Sequence, residues 1–173
     1  VTVSPNDTVA DVGNTELAQP LTPHRLAEPF EALRDAADVF EKKSGAKPRV
    51  FVASMGSISE HNVRTTWIKN FLAAGGIEAL ISDGYTSAAD AASAFKDSGV
   101  KLACVCSSDA GYESFGVATA EALATAGAEA ILLAGAPGDL KPALDAAGVS
   151  QYVTAGQDMV DTLSGLHKAL GVA

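Results

Sequence analysis

Basic residues are scarce in this chain, with 12 Lys and Arg against 21 Asp and Glu in 173 residues, a formal charge of −9. A surface of that sign repels phosphate backbones and anionic headgroups, so neither nucleic acid nor a membrane surface is expected as a partner. No apolar run approaches the ~20 residues that span a bilayer. Aromatics make up only 6%, and Ala is abundant in their place, which suits helices packed closely on a sheet. Cysteine is limited to Cys104 and Cys106. On one strand such a pair points the same way about 6.6 Å apart, at the limit for a disulfide and with the wrong geometry. Two buried thiols are expected instead. Together with a polar first twenty residues that lack a signal pattern, they indicate a cytoplasmic location.

What the chain does have is alternation. Residues 1–22 carry no periodicity and read as a linker or the exit from a preceding domain. Residues 23–47 form a leading helix and its connection, with Leu26, Phe30, Leu33, Ala37 and Phe40 in one stripe. Residues 48–173 then repeat strand and helix. Strands are expected at 49–53, 77–81, 100–106 and 130–133, with a fifth ending at 152–154. Helices are expected at 60–74, 88–96, 112–126, 140–146 and 159–170. The second helix of the chain should turn Val63, Trp67, Ile68, Phe71 and Leu72 inward. Glycine follows most helices (Gly75 and Gly76, Gly99, Gly127, Gly148, Gly171), where a left-handed residue is wanted. The strands are continuous apolar runs, as in a sheet covered on both faces. The predicted fold class is α/β: a doubly wound five-stranded parallel sheet, flavodoxin-like, in the order 2-1-3-4-5 and preceded by one helix.

In such a sheet ligands bind at the carboxyl edge, so the loops there limit the chemistry. The turn after the first strand holds Gly56 but no GxGxxG or GK[ST], which argues against a nucleotide or flavin phosphate. A phospho-acceptor site needs acids after strand one and a Lys after strand five. Asp109 follows strand three, but the first loop has no Asp and Thr154-Ala155-Gly156-Gln157 has no Lys. Ser107 and Ser108 lack a GxSxG elbow, and Ser108 or Asp109 is expected to cap the following helix. His24, His61 and His167 lie on separate elements, so no metal-ligand spacing is present.

Four stretches carry a resemblance. Leu26-Ala27-Glu28-Pro29-Phe30-Glu31-Ala32-Leu33-Arg34-Asp35, Pro48-Arg49-Val50-Phe51-Val52-Ala53-Ser54-Met55-Gly56, Ser107-Ser108-Asp109-Ala110-Gly111 and Leu133-Ala134-Gly135 resemble the cobalamin-type domain of methylmalonyl-CoA mutases. Cobalamin-binding members carry D-x-H-x-x-G, S-x-L and G-G in these loops. The His there replaces the cofactor's own base beneath cobalt, and the Asp orients it. Aligned without a gap on Met55-Gly56, this chain places Ile58 at the Asp and Glu60 at the His. With one insertion it recovers His61, but Ser59 then stands for Asp and Arg64 for Gly. Asp109 replaces Leu, and Ala134-Gly135 replaces the double Gly.

The pattern resembles the small, non-catalytic subunit of a heterodimeric mutase. It implies that adenosylcobalamin belongs to the large catalytic subunit, which interconverts methylmalonyl-CoA and succinyl-CoA. This chain would be a cofactor-free C-terminal domain, with Ile58 and Arg64 closing the site and Ser59 capping the helix. Two alternatives stand beside it. One is an active cobalamin-binding domain with His61 as lower cobalt ligand and Ser107 and Gly135 lining the channel. The other is a flavodoxin-like module for a small ligand or partner.

Overall fold

The computed structural model describes residues 25–172. The expected linker at 1–22, and His24, lie outside them.

The first helix, α1 (Glu28–Ser44), has Pro29 in its first turn, acids at Glu28 and Glu31, and Lys42 and Lys43 in its last turn. Each charge suits its end of the helix dipole. Phe30 and Leu33 pack on the core and Ala37 is buried. The expected stripe loses its first member, because Leu26 precedes the helix and is 98% exposed.

Five parallel strands follow: β1 (Arg49–Ser54), β2 (Glu78–Ile81), β3 (Leu102–Cys106), β4 (Ala130–Ala134) and β5 (Val149–Val153). Their order is β2-β1-β3-β4-β5, as the alternation predicts. Period-two alternation divides β1, β3 and β4 between two cores. On one face Phe51, Val105 and Leu133 meet Phe95, Leu123 and Leu144, from α3 (Ala88–Ser98), α5 (Val117–Thr125) and α6 (Lys141–Ala146). On the other face Val50, Val52 and Leu132 meet Ile68, Leu72 and Leu163, from α2 (Ile58–Ala74) and α7 (Met159–Leu170). His167 ties those last two helices together, its Nε2 lying 2.7 Å from the Gly75 carbonyl oxygen.

Cys104 and Cys106 are free and fully buried, with their sulfurs 3.9 Å apart. Burial and the adjacent Cys104 push the Cys106 thiol pKa well up, which keeps it protonated.

Two expectations fail locally. Gly75 has φ −96°, and it is Gly76, at φ 74°, that turns the chain left-handed. The helix expected from Tyr112 begins earlier, as a single turn α4 (Asp109–Gly111), and widens into a π-helical turn over Tyr112–Gly116 before α5. Tyr112 is buried there, its hydroxyl donating to the Ala134 carbonyl at 2.6 Å and lying 3.2 Å from that of Val105. The wide turn thus sits where the ends of β3 and β4 are pinned by one phenol. Burial and the nearby Cys106 and Cys104 thiols raise that phenol's pKa well above its ordinary value, so it remains a donor.

Candidate functional site

The loop from β1 to α2 is short because backbone pairing continues past the end of β1. The Met55 N–H bonds to the Cys106 carbonyl, the Gly56 N–H to that of Tyr85, and Met55 bridges Tyr85 in parallel. Ser57 then starts α2. Its N–H and its hydroxyl both donate to Glu60 Oε2 at 2.7 Å. Those two bonds hold the Glu60 carboxyl below its ordinary pKa. The cap is therefore Ser57 rather than the expected Ser59. The signal was in the sequence, since Ser57-Ile58-Ser59-Glu60 has the capping-box spacing. Ile58, expected to close the site, is 64% exposed, and Val63, expected inward, is 79% exposed.

His61 follows the helix inward. It is buried, with Nδ1 3.4 Å from the Thr65 hydroxyl, which in turn lies 3.0 Å from that of Ser54. Its other nitrogen, Nε2, is buried and has no partner among the described residues. Above it lies the loop from β2 to α3, at Gly84: a methyl on that residue would stand 2.7 Å from Nε2 and 3.1 Å from the Gly56 carbonyl. The imidazole thus points beneath a neighbouring loop, not out of the carboxyl edge. Nothing in the sequence marks Gly84 as part of the site, since Asp83-Gly84 reads only as a turn.

Ser107 and Gly135 do converge, and they converge on Arg64. The guanidinium donates through Nη1 to the Ser107 carbonyl at 2.7 Å, pairs through Nη2 with Asp109, and lies 4.9 Å from the centre of the Tyr112 ring. A methyl on Gly135 would lie 3.2 Å from its Cζ. Arg64 therefore links the ends of β3 and β4 to α2 across the point where the strand order reverses. Burial tends to lower its pKa, but the hydrogen bond it donates to Asp109 and its charge interactions with Tyr112 and Asp109 raise it above the ordinary value. The charge is fixed. Ser107 is fully buried, its hydroxyl donating to the Met55 carbonyl at 2.9 Å. Ser108, as expected, caps the following turn by accepting from the Gly111 N–H at 3.0 Å.

Among the described residues, no cluster of three or more His, Cys, Asp or Glu could hold a metal. No described helix is long and apolar enough to cross a membrane.

No protein-family model matches the chain. Curated relatives do. A methylmalonyl-CoA mutase small subunit from Streptomyces virginiae is 38% identical over 149 residues, which is 86% of this chain and 23% of that protein. A probable methylmalonyl-CoA mutase small subunit from Mycobacterium tuberculosis (strain ATCC 25618 / H37Rv) is 38% identical over 148 residues, 85% of this chain and 24% of that protein. The methylmalonyl-CoA mutase small subunit of Porphyromonas gingivalis is 29% identical over 154 residues, 89% and 24%. The chain spans about a quarter of the length of these relatives. Among solved structures, a response regulator from Thermotoga maritima overlaps 72% of this chain and 98% of its own at 19% identity, with a TM-score of 0.45, a likeness too weak to bear on function. By sequence, the chain is a homologue of one segment of the methylmalonyl-CoA mutase small-subunit family.

Proposed function

We propose that this chain is a cofactor-free structural domain of the small subunit of a heterodimeric, adenosylcobalamin-dependent methylmalonyl-CoA mutase. In this reading the large subunit holds the cofactor and interconverts methylmalonyl-CoA and succinyl-CoA, and the domain supports it through subunit contacts. The observation that carries the reading is Arg64. Its guanidinium lies against Gly135 and is tied to Ser107 and Asp109, so it fills the space that a cofactor's tail would need between the ends of β3 and β4.

The residues present do not fit a lower cobalt ligand. A ligating imidazole needs an exposed nitrogen and, behind it, a carboxylate to raise its basicity. His61 offers a covered Nε2 and a neutral hydroxyl behind Nδ1. The alternative with His61 on cobalt would require the ring to swing from beneath Gly84 and Arg64 to leave its three partners.

The test is association. A tagged small subunit containing this domain, co-expressed with a longer homologous chain that keeps D-x-H-x-x-G, is expected to co-purify with it in a fixed ratio, with cobalt carried only by the longer chain. Recovery of the small subunit alone, or of cobalt bound to it in isolation, would contradict the reading.

A further inference from the structure

Two adjoining cavities run between α2 and the loop from β5 to α7, sharing Trp67 and Ala155. The first, about 310 Å³, ends on Arg64 and Gly135. The second, about 320 Å³, continues to Asn70 and Met159. Each is at the lower end of the range that holds small molecules. The walls are mostly apolar, with Val63 79% exposed at the mouth and Met159 38% exposed at the far end. On a chain of charge −9, the one charged side chain lining either cavity among the described residues is a cation, Arg64.

The state of that cation decides what the groove can take. Its bonds to Ser107 and Asp109 leave donors to spare on the five-donor fork. Asp109, held from the solvent side, is 85% exposed and is therefore an exchangeable counter-ion. Two backbone donors nearby are already committed: the Gly135 N–H to the Val153 carbonyl, and the Thr154 N–H to Gln157 Oε1. A phosphate would bring two charges to a single guanidinium with no backbone cradle, whereas a carboxylate matches one guanidinium in charge and shape.

We propose that this groove binds an amphiphilic monocarboxylate, whose carboxylate takes the place of Asp109 on Arg64 while its hydrocarbon body lies along Trp67 and Ala155 toward Met159. The proposal does not depend on the mutase assignment, and subunit co-purification can fail or succeed without affecting it.

Trp67 is the only Trp in the sequence, so its emission reports the groove directly. The chain is titrated with octanoate and, separately, with the neutral octan-1-ol. Octanoate is expected to change the emission saturably. Arg64→Gln is expected to weaken octanoate about tenfold, the loss of one charge-assisted contact, and to leave octan-1-ol little changed. Asp109→Asn removes the competing carboxylate from an exposed position without touching the interior, and is expected to tighten octanoate severalfold. That variant decides the matter should Arg64→Gln fail to fold. Absence of a saturable response to millimolar octanoate overturns the proposal and leaves the groove to a protein partner. Unchanged affinity in Arg64→Gln, or unchanged or weaker affinity in Asp109→Asn, overturns it equally.

Discussion

Gly84→Ala is expected to destabilise the domain by about 3 kcal/mol, from backbone strain and a steric clash together. Gly84 holds φ at 118°, a conformation that side-chain-bearing residues rarely adopt. Its added methyl would also stand 2.7 Å from His61 Nε2 and 3.1 Å from the Gly56 carbonyl. These contributions separate experimentally. His61→Ala removes the ring the methyl strikes but leaves the strained backbone and the Gly56 contact. The double variant is therefore expected to be more stable than the sum of the single losses by about 1 kcal/mol. Urea unfolding of the two singles and the double measures this coupling. Strict additivity would mean that His61 does not pack beneath Gly84, and would reopen the imidazole as a ligand for the carboxyl edge.

Gly111→Ala is expected to cost a similar amount, about 3 kcal/mol, but for a purely steric reason. Gly111 has an ordinary helical φ of −65°, so its backbone accepts any residue. The obstacle is Ser107, whose Oγ and Cβ would lie 1.9 and 2.9 Å from the new methyl. Ser107 has little freedom to yield. It is fully buried, its hydroxyl is bonded to the Met55 carbonyl, and its own carbonyl accepts from Arg64. Because strain is absent, Ser107→Gly in the same chain removes the clash but also its bond to the Met55 carbonyl, so the double variant is expected to be more stable than the sum of the single losses by about 2 kcal/mol, a larger coupling than at Gly84. Thermal or urea unfolding of the single and double variants checks the contrast. A Gly111→Ala protein of unaltered stability would show that the loop after β3 is looser than its hydrogen bonds indicate.

Much of this architecture is legible in the residues because it depends on local patterns. The apolar runs around Val50, Leu102 and Leu132 mark strands, and helices between them force a parallel sheet whose order the structure bears out. Ser108 as a cap and the pairing of Cys104 with Cys106 as buried thiols follow from position within one element. The failures occur where one element meets another. Val63 is apolar and sits on a helix that packs on the sheet, yet the buried stripe of α2 runs through His61, Thr65, Ile68 and Leu72 and leaves Val63 outside. Helical spacing defines the candidate faces; which one meets the sheet is set by strands distant in the chain.

The same distinction runs through the candidate site. Substituting Arg64 for a small residue suggests a filled channel, and Arg64 does reach Gly135. Its carbonyl, carboxylate and aromatic partners at Ser107, Asp109 and Tyr112 lie more than forty residues away and have no local signature. The orientation of His61 is likewise invisible in sequence, since it depends on Gly84, twenty-three residues further on. The π-helical turn at Tyr112–Gly116 has no signature that periodicity can detect, because one widened turn shifts the pattern by a single residue.

In the function proposed above, this carboxyl edge, although placed like a cofactor site, would hold no cobalamin, because Arg64 packs against Gly135 and His61 lies beneath Gly84. Titration of the purified protein with cobalamin, followed by visible absorbance and by electron spin resonance of the Co(II) form, tests this most directly. The account predicts no saturable spectral change and no nitrogen from the protein bound to cobalt. Saturable binding with displacement of the cofactor's own base, lost in His61→Ala, would contradict it.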